Sequence, residues 1–120
     1  MTPFGQKLRA LRAERGIELK EMAAAVGVSA AYLSALEHGR RGRPSWPLLQ
    51  RIIAYFNVIW DDAEELTRLA RLSNPRAVVD TAGLSPKATE LANLLAERIG
   101  ELSEDELDRL LRHLRQRPPE

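Results

Sequence analysis

Residues 19–39, LKEMAAAVGVSAAYLSALEHG, restrict the fold of this chain more than any other stretch. Leu19, Met22, Ala23 and Val26 recur at helical spacing, and Gly27 then supplies the left-handed conformation that ends a helix at little cost. Ser29 is suited to cap a second helix, whose inward residues are Leu33 and Leu36 and whose stop is Gly39. The small Ala23 lets the two helices cross closely. Leu33 and Leu36 pin the second helix from inside, so its opposite face stays free.

The flanking segments supply a core for this pair. TPFGQKLRALRAERG reads as a preceding helix: Thr2 caps, Pro3 suits the first turn, Phe4, Leu8 and Leu11 share a face, and Gly16 stops it. After Pro44, a helix is expected with Trp46, Leu49, Ile52, Ile53 and Phe56 as its apolar face. The run DDAEELTRLARL is a fifth helix, with acids in its first turn and arginines toward its end, as the helix dipole favours.

The chain then reads SNPRAVVDTAG, rich in turn formers, as a linker that could run extended around Ala77-Val78-Val79. Ser85-Pro86 begins a sixth helix, with Leu91, Leu94, Leu95 and Ile99 on one side and Gly100 as its break. Ser103 and Glu106 fit a capping box for a last helix carrying Leu107, Leu110, Leu111 and Leu114. A frayed tail is expected from Arg117 to Glu120. The resulting fold is all-α: a five-helix domain over residues 1–73, a linker over 74–84 and a C-terminal helical pair within 85–120.

Composition narrows the function classes. The chain has 120 residues, no cysteine and two histidines distant in sequence, His38 and His113, which excludes a disulfide framework and makes a poor start for a metal site. Phosphate loops, nucleophile elbows and metal-ligand spacings are missing, and the carboxylates of DDAEE and SEDE are explained by helix starts, so no enzyme and no cofactor are expected. With no membrane-length apolar run and no leader pattern, the expectation is a soluble cytoplasmic protein. Residues 1–60 carry nine Lys/Arg against four Asp/Glu, whereas residues 61–120 carry nine against thirteen. A basic front suits phosphates, although ordinary surface variation would also produce it.

A short helix, a turn on Gly27 and a second helix are the parts of a helix-turn-helix. The run from Phe4 to Val58 resembles the phage repressor and Cro-type, or XRE-type, helix-turn-helix family. The matching residues are Leu8-Arg9-x-x-Arg12 and Gly16, Met22-Ala23, Gly27-Val28-Ser29, Leu33-Ser34-x-Leu36-Glu37-x-Gly39 and Arg43-Pro44-Ser45. The resemblance implies a sequence-specific DNA-binding regulator, read as a repressor, whose helix from Ser29 to His38 enters the major groove of double-stranded DNA as a dimer. It also implies an ion pair between Arg12 and Glu37 that sets helix orientation; the alternative is that Arg12 reaches a phosphate.

The groove-facing candidates are Ser29, Ala30, Ala31, Tyr32, Ser34, Ala35 and His38. Three are alanines, which offer no side-chain hydrogen bond, so base reading would rest on thymine methyl contacts, a few polar groups and DNA shape. Tyr32 could instead be a packing residue and His38 a helix-end cation. Phosphate candidates are Lys20, Arg40, Arg41 and Arg43, with Arg15 a further one; a merely solvated basic loop is the alternative. The family's threonine cap and glutamine at the second helix are replaced by Glu18 and Leu19. The C-terminal leucines are more apolar surface than two helices can bury, which points to a homodimer interface. An antitoxin or adaptor, with a protein partner docked on the alanine face, is the rival reading.

Overall fold

Five helices start in the same way: the hydroxyl of Thr2, Ser29, Ser45, Ser85 or Ser103 accepts a hydrogen bond from the backbone N–H three residues on. Each satisfies a donor that the first helical turn leaves open. In the computed structural model, which describes residues 1–116, the helices are α1 (Pro3–Arg15), α2 (Leu19–Val26), α3 (Ala30–Glu37), α4 (Trp46–Phe56), α5 (Asp61–Arg71), α6 (Pro86–Arg98) and α7 (Glu104–Arg115). A single 3₁₀ turn, Ile99–Glu101, follows α6. The fold is all-α, and among the described residues no strand forms at Ala77-Val78-Val79. The tail expected at Arg117–Glu120 lies outside the described residues.

The first three helices stop by one shared device. Gly16, Gly27 and Gly39 take φ of 64°, 82° and 81°. Each glycine N–H, and the N–H of the next residue, returns to carbonyls of the preceding turn: Ile17 to Arg12, Val28 to Ala23 and Arg40 to Ala35, at 2.9, 3.0 and 2.9 Å. This pairing satisfies carbonyls that would otherwise be orphaned, and only glycine adopts the required backbone without strain. Gly100 behaves differently from expectation. Its φ is not positive, and α6 tightens into 3₁₀ through it instead of breaking there.

The core is built from Phe4, Leu8 and Leu11 of α1, Met22, Ala23 and Val26 of α2, Leu33 and Leu36 of α3, Leu48, Leu49, Ile52 and Phe56 of α4, and Leu66 and Ala70 of α5. Each large side chain that reaches full burial contributes about 1.5–3 kcal/mol. Trp46 is not among them. It is 65% exposed, while Leu48, outside the expected face, is 2% exposed. The buried stripe of α4 is centred between Leu48 and Leu49, and at about 100° per residue Trp46 is turned roughly a quarter circle away from it. Ile53 sits at the stripe's edge, half-buried.

The chain divides into two compact units, Met1–Ala77 and the remainder from Val78 on, so the division falls inside the segment read as a linker. The second unit contains no buried residue among those described. Its best-formed local feature is the capping box: Ser103 N–H donates to Glu106 Oε1, and Glu106 N–H donates to Ser103 Oγ, both at 3.1 Å. Those bonds hold the Glu106 carboxyl below its ordinary pKa, because its charged form accepts from the backbone. Among the described residues no single helix is long and apolar enough to cross a membrane.

Candidate nucleic-acid interface

α2 and α3 meet at 105° across Gly27. Three contacts from outside the pair hold that angle. Arg51 of α4 donates from Nε to the carbonyl of Val26 at 2.8 Å, tying off the end of α2. At the end of α3, the Glu37 carbonyl accepts from the Thr2 backbone N–H at 3.0 Å and from Thr2 Oγ1 at 3.3 Å. Gly5 allows that approach, since a Cβ there would stand 2.2 Å from the Glu37 carbonyl oxygen. α1 is itself anchored at its start, where Phe4 N–H donates at 2.9 Å to Ser73 Oγ.

The Glu37 side chain points inward and meets Arg12. The guanidinium donates to both carboxylate oxygens, through Nη1 to Oε2 and through Nη2 to Oε1, the latter at 3.2 Å. The two side chains are 9% and 2% exposed. Such a bidentate pair satisfies both charges away from water and locks α1 to α3. Arg12 is therefore not available to a phosphate. Arg15 is held at α4: it donates at 2.6 Å to the Phe56 carbonyl and stacks over the Phe56 ring at 5.4 Å, while remaining exposed and without a carboxylate partner among the described residues.

The face of α3 away from this core is open. Ser29, Ala31 and His38 are exposed, and Tyr32, Ser34 and Ala35 are half-buried. Ala30, like Tyr32, is half-buried and packs against the core edge at the margin of this face. Ser29 Oγ caps the helix at Tyr32 N–H, 3.0 Å away. His38 Nδ1 lies 2.8 Å from the Ser34 carbonyl; a carbonyl can only accept, so Nδ1 carries the proton and Nε2 is left for solvent or a ligand.

Beyond Gly39 the loop carries Arg40, Arg41 and Arg43, all exposed and none paired with a carboxylate among the described residues. The Arg41 guanidinium sits 5.3 Å from the centroid of the Tyr32 ring. Lys20 differs from these arginines, with its ammonium 3.7 Å from the Glu18 carboxylate on an exposed edge. Glu18 itself makes no side-chain cap at the start of α2. No group of three or more His, Cys, Asp or Glu among the described residues is placed to hold a metal ion.

In the second unit, Leu91, Leu94, Ile99, Leu110, Leu111 and Leu114 are exposed, and Leu95 and Leu107 are half-buried. The structure thus leaves this leucine set uncovered. Sequence reasoning missed Arg51, Gly5 and Ser73 as the supports of α2, α3 and α1. No local signal marks them, because each acts on a backbone atom at least 25 residues away.

Two short helices at this angle across a glycine turn, supported by three further helices with the second helix open outward, define the helix-turn-helix class. Residues 3–69 match the family described as helix-turn-helix domain, more than half of the chain, and the chain belongs to that family. The XRE-type resemblance read from the motifs holds.

Over 62 residues the chain is 36% identical to an uncharacterized HTH-type transcriptional regulator RghRB of Bacillus subtilis (strain 168), covering 52% of this chain and 45% of that protein. Over 52 residues it is 42% identical to the HTH-type transcriptional repressor RghR of the same organism, covering 43% and 38%. A chain from a solved SinR protein/SinI protein complex aligns with a TM-score of 0.43 at 26% identity, over 81% of this chain and 98% of that one. The chain therefore spans less than half the length of these two curated relatives.

Proposed function

We propose that this protein is a DNA-binding transcriptional regulator that represses by occupying its site. α3 enters the major groove with Ser29, Ala30, Ala31, Tyr32, Ser34, Ala35 and His38 toward the groove, while Arg40, Arg41 and Arg43 meet flanking phosphates. Lys20 adds less, because Glu18 offsets its charge at 3.7 Å. One observation carries this reading: the 105° crossing leaves the outer face of α3 uncovered, next to three arginines with no carboxylate partner among the described residues. Three exposed, unneutralised arginines beside an open helix face suit the phosphate backbone, whose condensed counterions they would displace on binding. The alanines limit how many bases are specified, so discrimination rests on a few polar groups, thymine methyls and DNA shape.

Residues 1–73 act as the DNA-binding domain, and residues 85–120 join two copies through Leu91, Leu94, Leu95, Ile99, Leu107, Leu110, Leu111 and Leu114. Support comes from the uncovered leucines, which are more apolar surface than two helices bury by themselves. A two-fold pair would set the α3 helices about 34 Å apart, one turn of DNA.

Selection of bound sequences from a random duplex pool tests the DNA reading. An enriched two-fold motif is expected, with binding that weakens steeply with salt and is lost in Arg40/Arg41/Arg43→Ala. No enrichment together with no salt-dependent binding overturns it. Sedimentation of Leu110/Leu111/Leu114→Ser against the unchanged chain tests the pairing, which a monomer in both overturns.

A further inference from the structure

One cation of the loop after α3, Arg41, lies over an aromatic ring of that helix. Arg41 follows Gly39 and precedes Gly42, whose φ values are 81° and 76°. These two left-handed residues, with the Arg40 N–H bonded back to the Ala35 carbonyl at 2.9 Å, fold the loop toward the helix it has just left. The Arg41 guanidinium comes to rest 5.3 Å from the ring centroid of Tyr32, nine positions earlier in the chain. Tyr32 is fixed in turn: its backbone N–H is bonded to Ser29 Oγ at 3.0 Å, and its half-buried ring packs on the edge of the core.

The kind of partner matters. A carboxylate would hold an arginine by neutralising it, as Glu65 does for Arg68 at 3.0 Å. Stacking on an aromatic face restrains the long side chain yet leaves its positive charge and its N–H donors free to meet a second anion. Arg15 shows the contrasting outcome, since it stacks on Phe56 but also donates to the Phe56 carbonyl. Arg41 makes no comparable bond to a carbonyl or carboxylate among the described residues.

We infer that Tyr32 is a positioning residue, whose ring aims Arg41 at a DNA phosphate beside the open face of α3. Its hydroxyl is not the group that reads a base. This inference rests on the DNA-binding reading and deepens it by assigning the two residues to one device. Their effects on binding are then not independent: without the ring, Arg41 regains its rotamer freedom and contributes less, and without Arg41 the ring has nothing to aim.

The test is a double-mutant cycle on the full chain, with a mixed-sequence DNA duplex as probe and the motif enriched from a random pool as a second probe. Tyr32→Phe keeps the ring and is expected to keep both the preference for the enriched motif over the mixed-sequence duplex and the coupling to Arg41. Tyr32→Leu is expected to lose about two- to five-fold in affinity, the range of an exposed cation–π contact. That loss should fall equally on the two probes and vanish when Arg41 is already alanine. Arg41→Ala should flatten the dependence of log affinity on log salt by about one phosphate contact, and Tyr32→Leu should flatten it in the same direction.

The proposal is overturned if Tyr32→Phe loses discrimination between the probes, which would make the hydroxyl a base reader. It is also overturned if the losses of Tyr32→Leu and Arg41→Ala simply add. Far-UV dichroism of each variant separates these outcomes from misfolding, and Tyr32→Phe, which deletes only a hydroxyl, keeps the proposal decidable if Tyr32→Leu fails to fold. If the unchanged protein binds neither probe, the DNA reading itself has failed, a result distinct from additivity in a protein that binds.

Discussion

Glu37→Gln isolates the ion pair that orients α3, because it removes a charge while keeping the volume of the side chain. The Arg12 side chain is 9% exposed, and its remaining close neighbour is the Met22 sulfur, 3.9 Å from Nη1. A neutral amide still accepts one hydrogen bond there but no longer balances the cation. Breaking a buried pair from one side costs about 3–5 kcal/mol, and the retained amide acceptor puts the expected loss near the low end, about 3 kcal/mol. For a domain of 60–100 residues, each kcal/mol shifts the melting midpoint by about 4–8 °C, so the midpoint should fall by at least about 12 °C.

Urea unfolding followed by far-UV dichroism measures the loss directly. Arg12→Met/Glu37→Met, which replaces the pair by packed apolar side chains, should recover most of it. A loss below about 1 kcal/mol for Glu37→Gln, the scale of a surface pair, would refute the reasoning, because it would mean that water already screens the guanidinium.

Two other perturbations probe the fold at places where its geometry is unusual. Trp60 has φ 53° and ψ −123° and is 82% exposed, so Trp60→Gly relieves backbone strain with little buried surface lost; the unfolding free energy from urea titration should rise by about 1 kcal/mol, and a fall would contradict the strain. Gly5→Ala puts a Cβ 2.2 Å from the Glu37 carbonyl oxygen and should cost about 1–3 kcal/mol by the same assay, whereas Gly100→Ala, which meets nothing within 4 Å, should cost far less; equal effects would contradict the close approach of α1 to α3.

The Glu106 carboxyl is held below its ordinary pKa by the Ser103 N–H, so the stabilisation it lends α7 is present above about pH 4.3, the ordinary value, and is lost as pH falls through the lowered one. Carboxyl NMR titration should show Glu106 below the ordinary glutamate value, with the depression lessened but not erased in Ser103→Ala, which removes the hydroxyl and keeps the backbone N–H; an ordinary Glu106 value in the unchanged chain would contradict the capping box.

What was legible in the sequence was local. Thr2, Ser29, Ser85 and Ser103 cap because the residue type, its φ/ψ and the following helical run are all contained in four residues. Gly16, Gly27 and Gly39 stop helices for the same local reason. Trp46 was misplaced because hydrophobicity alone does not say where a stripe is centred. Leu48 and Leu49 set the buried face of α4, and a tryptophan at the first helical position falls off it. Within the candidate site, the Arg12 and Glu37 pairing came from the family resemblance, and the open face of α3 was inferred from Leu33 and Leu36. The roles of Arg15, Arg51 and Gly5 were hidden, since a carbonyl supplied by another helix leaves no trace in the spacing of residues around its donor. The Arg41 to Tyr32 stacking depends on how far a loop with two left-handed glycines folds back, which residue types alone do not determine.

Backbone amide NMR shifts recorded while a mixed-sequence duplex is titrated into the full chain test the central claim most directly. The account predicts that the largest changes, lessened by added salt, fall on residues 29–43, with those of the α4–α5 connection and of α6 little moved. Changes centred on α6 and α7, or none at concentrations where non-specific DNA binding is ordinarily seen, would contradict it.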